Sequence, residues 1–249
     1  MHVRQNIYIM NINIIRKIHI VYLKLRGQNK NKIDYDGKIL IVAPHPDDEA
    51  LGCGGLISRL CAEKNPPHIA VLTGGGGSLR GRSDISETEV VNARRKLTLD
   101  SARQLGLPEE NIHFFDFKDG DIAARPESGM SRLRKMIDDL APDNILVPHN
   151  GEGWPDHLAA RDIGIELAPD NTSVWEYCVW MWYYNVWNLD WKNAAVLSMS
   201  DTEHSAKLRA VDAYVKPLAP CGAPWSGELP KQFLKANKSK IELYFKLTK

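Results

Sequence analysis

From residue 38 onward the chain alternates short β-branched runs with segments of helical period, and no other feature restricts its fold as tightly. Lys38–Ala43 reads as a buried strand. Leu51, Leu56, Ile57, Leu60 and Cys61 then recur at three- and four-residue steps, which gives a helix whose apolar face packs on that strand. The pattern repeats with strands at His68–Thr73, Asn111–Phe117, Asn144–Pro148 and Ala194–Met199. Helices are expected at about 86–105, with Gly106 as a left-handed cap, and at Glu127–Leu140, Leu158–Leu167 and Thr202–Tyr214. Parallel strands need crossover connections, so this alternation predicts an α/β domain around a mostly parallel sheet. The tail from Pro217 is expected to dock back on the domain through Phe233 and Ile241–Phe245.

At 249 residues, 43% hydrophobic and 25% charged, the chain has enough apolar material for one large core, which argues against disordered and fibrous classes. The net charge of +1 gives no ground for a nucleic-acid partner, but it conceals an asymmetry. Residues 1–33 carry Arg4, Arg16, Lys17, Lys24, Arg26, Lys30 and Lys32 with no acid, a formal +7, so the remainder is −6. Within that segment Ile12, Ile15, Ile18, Tyr22 and Leu25 share one helical face. Residues 1–35 therefore form a basic amphipathic extension to a domain at 36–249. Three uses are open to it: packing on its own domain, contact with a second subunit in a homo-oligomer, and peripheral contact with an anionic membrane. Four scattered cysteines form no C-x-x-C pair and no dense disulfide framework, and no secretory signal or spanning segment is evident, so a cytoplasmic location is expected.

In open α/β sheets ligands gather at the carboxyl ends of the strands, and the first strand delivers Pro44-His45-Pro46-Asp47-Asp48-Glu49 there. An imidazole and clustered carboxylates are costly to bury without a cation. His45 and Asp48, three residues apart across a strand-to-helix turn, can converge on one Zn²⁺ at about 2.0–2.2 Å. His157, after another strand and so at the same edge, is the best third ligand, which leaves a coordination position for water. Fe²⁺ is an alternative, since nitrogen and oxygen donors suit several divalent ions. Asp47 is free to act as general base.

These residues resemble the LmbE-like (PIG-L) family of zinc-dependent N-acetylglucosaminyl deacetylases. The likeness runs through Ala43–Glu49, Leu51-Gly52-Cys53-Gly54-Gly55, Arg94, Ala102, Leu105-Gly106, Phe115–Gly120, Pro155-Asp156-His157, Lys207, Ala210 and Tyr214. It implies a Rossmann-like three-layer sandwich, one Zn²⁺ on His45, Asp48 and His157, Asp47 as base, and sugar contacts from Arg94 and Asp119. The expected reaction is removal of the acetyl group from an N-acetylglucosamine-type sugar or lipid-linked glycoconjugate. An amidase acting on another N-acyl glucosamine conjugate and a non-catalytic sugar-binding protein are the alternatives.

The sequence departs from the family at Trp154, which stands where the His-Pro-Asp-His motif has its first histidine, a residue that assists the oxyanion or the leaving amine. His149, at the end of the fourth strand, is the candidate replacement if the loop folds back. Gly74–Gly77 lacks the order of a phosphate-binding loop and reads as a rim carrying Arg80 and Arg82. Five tryptophans and three tyrosines between Trp175 and Trp191 are expected mainly in the core, with part of the cluster available to a sugar face or a subunit contact.

Overall fold

The computed structural model of the chain describes residues 2–248 apart from Ser83 and Asn185, with side chains from residue 12 onward. In chain order the elements are α1 (His2–Gln28), β1 (Asn31–Lys32), β2 (Ile39–Ala43), α2 (Asp48–Ala62), β3 (His68–Thr73), α3 (Glu87–Leu105) and β4 (Ile112–Phe117). They continue with α4 (Glu127–Leu140), β5 (Asn144–Pro148), α5 (Pro155–Leu167), β6 (Ser173–Tyr177), β7 (Ala194–Ser198), α6 (Asp201–Val215), α7 (Lys231–Asn237) and β8 (Ile241–Lys246). The strands form one sheet in the order β1-β7-β8-β6-β5-β2-β3-β4.

Strands β2 to β6 pair in parallel, and the alternation of their side chains builds a three-layer domain. Ile39, Ile41 and Ala43 of β2 face Leu56 and Ile57 of α2, Leu97 of α3 and Val211 of α6. Leu40 and Val42 face the opposite layer, with Leu133 and Ile137 of α4 and Ala160 and Ile163 of α5. The expected Rossmann-like sandwich is therefore the observed one. α2 approaches β6 closely because Gly52 has no side chain: a Cβ there would stand 2.3 Å from the Tyr177 ring.

Two features exceed the sequence reading. The tail does more than dock, because β8 lies inside the sheet, antiparallel to both β6 and β7. It is locked there by Glu242, which accepts from the Gly55 and Leu56 N–H groups, from Tyr244 and from the buried Lys207 ammonium at 2.6 Å. The helix after β5 starts at Pro155, three residues earlier than expected; proline suits the first helical turn, where its missing N–H costs no bond.

α1 joins the domain through β7, α7 and β8, and β1 pairs with β7. The face it presents to the domain is His19, Leu23 and Gly27, with His19 Nε2 2.8 Å from the Val186 carbonyl oxygen. Ile15, Ile18 and Leu25 of the expected apolar face stay exposed. No helix among the described residues is long and apolar enough to cross a membrane.

Candidate metal and catalytic site

The sheet order reverses at β2: β3 and β4 lie on one side of it, β5 and β6 on the other. The crevice above the carboxyl ends of β2 and β5 is thus the switch point at which such sheets bind ligands. His45 and Asp48 enter it from the β2–α2 turn, and His157 enters from the first turn of α5. One ligand atom from each of the three lies within 4.8 Å of the others. His45 Nδ1 is 3.3 Å and His157 Nε2 3.4 Å from the same Asp48 oxygen. Burial opposes the charged form of Asp48, but His157 and His45 outweigh it and hold the carboxyl below the ordinary range.

The other edge of His45 meets two more carboxylates, Asp156 at 3.1 Å and Asp119 at 3.2 Å from Nε2. These three could also be read as a metal cluster. Most of their oxygens already accept main-chain bonds, however: both Asp156 oxygens from the Gly120 and Ile122 N–H groups and Asp119 Oδ2 from Gly77, with Asp119 Oδ1 facing His45. Asp156 and Asp119 therefore act as orienting groups on the imidazole, and in the His45, Asp48, His157 set two imidazoles converge on one carboxylate. Burial would raise the Asp119 carboxyl, yet His45 and the Gly77 N–H hold it at about 2.

His157 has its own orienting group. Glu152, fully buried, places Oε2 3.2 Å from His157 Nδ1 while accepting from the N–H groups of Val179, Trp180 and Met181. A glutamate in a Gly-rich loop reads from sequence as solvated; its neighbour Gly153, at φ 73°, permits the turn that buries it. Asp156 was equally silent, although it stands inside the motif that supplied His157.

Asp47 occupies a backbone conformation rare for a side-chain-bearing residue, φ 109°, and makes no capping bond to its own helix. Strain of this kind gathers at functional positions and turns the carboxylate into the crevice instead of onto the helix end. Arg94, buried at the middle of α3, donates to Asp47 at 3.0 Å, to the Gly75 carbonyl at 3.1 Å and to the Pro46 carbonyl. Burial raises the Asp47 carboxyl to about 7, against the opposing effect of Arg94. Arg94, expected to contact the sugar, borders the cavity, and its bonds go to the motif. Glu49 is drawn away, receiving the Tyr214 hydroxyl at 2.6 Å and the Asp47 N–H at 3.1 Å.

The cavity over this cluster measures about 430 Å³. Trp154, Trp180, Leu229 and Phe233 form an apolar wall; Asp119, Gly120 and Arg80 form the polar one. Trp154 stands at the mouth with its ring edge-on to Trp180 at 5.6 Å. His149 is not brought to this cavity. It is buried against the Phe245 ring at 4.8 Å, 3.8 Å from Glu176, and its Nδ1 accepts from the Gly151 N–H, so the loop does not fold it back toward the cluster.

Fold and site together define a Rossmann-like α/β domain with a histidine–carboxylate–histidine donor set and a strained, arginine-held carboxylate at its switch point. A family model described as PIG-L, GlcNAc-PI de-N-acetylase, matches residues 40–168, and the chain belongs to that family. It is 33% identical over 135 residues to the diacetylchitobiose deacetylase of Thermococcus kodakarensis, covering 53% of this chain and 49% of that protein. It is 28% identical over 136 residues to a protein of Bacillus subtilis named probable N-acetyl-alpha-D-glucosaminyl L-malate deacetylase 2, covering 50% and 57%. The aligned part thus spans about half the length of these curated relatives. The fold is that of the N,N'-diacetylchitobiose deacetylase of Pyrococcus horikoshii, with a TM-score of 0.60 and 21% identity over 75% of this chain and 73% of that one.

Proposed function

We propose that this chain is a metal-dependent N-deacetylase of an N-acetylglucosamine-type sugar or glycoconjugate. The observation that carries the reading is the convergence of His45, Asp48 and His157 beside Asp47 at the switch point. The donor set fits a divalent cation: two imidazoles share one buried carboxylate, and each imidazole has a carboxylate within 3.2 Å of its far nitrogen, as imidazoles that hold metals commonly do. Zn²⁺ bound by these three residues would supply Lewis acidity and a water that ionises near neutral pH; Fe²⁺ is the alternative ion. The relatives named as deacetylases of amino-sugar compounds support the same chemistry.

Asp47, held by Arg94, takes a proton from the water that attacks the acetamide carbonyl. With Trp154 in place of an imidazole and His149 outside the cavity, the proton must return to the leaving amine from another group. Asp119 and Asp156 are committed to backbone N–H groups, and the arginines stay charged. That leaves Asp47, which acts first as base and then as acid. The apolar C–H faces of the sugar lie against Trp154 and Trp180, while Asp119 and Arg94 border the polar side.

The test is a free-amine assay across N-acetylated amino sugars, run with metal analysis on wild type, Asp47→Asn and His157→Ala. Asparagine tolerates positive φ well, so Asp47→Asn should fold and keep about one metal ion while losing on the order of 10²–10⁴-fold in turnover. His157→Ala should lose the metal. Amine release by Asp47→Asn at the wild-type rate would refute the assignment.

A further inference from the structure

We infer that α1 and the neighbouring Trp187 form a docking surface for an anionic lipid bilayer. The helix packs on the domain through His19, Leu23 and Gly27 and turns its other side outward. On that side Ile14, Ile15, Ile18, Val21 and Leu25 are each between 45% and 59% exposed. Trp187, 47% exposed, lies against the helix, 5.3 Å from Tyr22, and extends the strip. Isolated exposed leucines need no explanation, but an aliphatic band over three turns beside an exposed tryptophan is the kind of patch that marks an interaction site.

Charge selects the occupant. At about 3.6 residues per turn, Lys17 and Lys24 fall along one border of the band and Arg26 along the other. Residues 1–33 hold seven cations and no acid, whereas the rest of the chain is net acidic. A second copy would set one cationic helix against another. A bilayer with anionic headgroups offers acyl chains to the band and negative charge to both borders, which is the composition of a helix lying in the interface plane. Tryptophan prefers that same boundary. The packed side of the same helix reaches toward the cavity rim: Arg16 covers the Tyr183 ring at 3.9 Å, Tyr183 meets Tyr184, and Tyr184 stacks on the cavity-lining Trp180. The inference does not depend on the proposed reaction.

The full-length protein should co-sediment with vesicles of mixed phosphatidylcholine and phosphatidylglycerol at low salt, and only weakly with phosphatidylcholine alone or at high salt. Ile18→Ser/Val21→Ser/Leu25→Ser should lower the partition coefficient at least tenfold with unchanged circular dichroism, because none of these side chains is buried. Lys17→Gln/Arg26→Gln should lower it on anionic vesicles by roughly fivefold per charge. Failure of the wild type to sediment with anionic vesicles overturns the inference, as does undiminished binding by the serine variant. Light scattering that shows a dimer dissolved by the serine substitutions would assign the band to a second copy instead and would also overturn it.

Discussion

Replacing Glu152 by Gln tests whether the ligand His157 is held by the loop or only by its own helix. The carboxylate accepts three main-chain N–H bonds, at 2.8 Å from Val179, 2.6 Å from Trp180 and 3.2 Å from Met181, and faces His157 Nδ1. Glutamine keeps one acceptor oxygen, which can still serve Val179 and Met181, both bonded to Oε1. Its amide group then points two hydrogens at the Trp180 N–H and at His157. One orphaned N–H costs about 1–3 kcal/mol, and two bonds that lose charge assistance cost roughly 1 kcal/mol each. The sum is about 3–5 kcal/mol, which for a chain of this size lowers the melting temperature by about 2–4 °C per kcal/mol. The imidazole also loses its orienting carboxylate, a loss that elsewhere weakens metal binding about 10–100-fold. Zn²⁺ titration against a competing chelator, with the folded fraction monitored in parallel, measures both effects. A folded Glu152→Gln protein that binds Zn²⁺ as tightly as wild type would refute the orienting role.

Two further outcomes are expected. Lys207→Met leaves Glu242 buried beside α2 without its counter-charge, so denaturant titration should show a loss of about 3–5 kcal/mol; a loss below 1 kcal/mol would mean that the N–H and hydroxyl partners suffice. Burial first, and then Arg161, push His149 down to about 4. An unfolded histidine titrates near 6.5, so between these values the unfolded chain binds a proton that the folded one refuses, and stability rises with pH across that window. The penalty is about 2 kcal/mol at pH 5 and vanishes above pH 7. His149→Gln should flatten the slope of unfolding free energy against pH by that amount, and parallel slopes would sink the assignment.

What the sequence disclosed follows from the range of the interactions involved. β2, β3, β5 and α4 were legible because local hydrophobic periodicity suffices to mark them, and His45, Asp48 and His157 because each directly follows a strand end or lies one short loop beyond it. The insertion of β8 was not legible, since a strand that pairs antiparallel with two distant neighbours leaves no trace in its own six residues. The buried place of Glu152 and the bond of Arg94 to Asp47 were not legible for a related reason: a charged side chain in a polar segment shows nothing of its partners, here three N–H groups and a carboxylate. In α1 the expected face shares Ile15, Ile18 and Leu25 with the exposed band, but periodicity says where a face is and not which face the domain takes. The packing falls instead where Gly27 lets the helix approach Leu243 of β8, with the space a Cβ would need already occupied.

The central place of β8 bears on how the chain is made. β7 and β1 reach the other strands only through β8, and α1 rests partly on it. During synthesis β2 to β6 can pair before the tail emerges, since both partners of each parallel pair lie within residues 39–177. The packed face of α1, by contrast, is completed only when residues 241–246, more than two hundred positions later, join β7 and α7 beneath it. Contacts of such separation are slow to close and leave apolar surface open meanwhile. Until β8 slots between β6 and β7, α1 stays unsheltered on both faces, and the nascent protein should be a chaperone client.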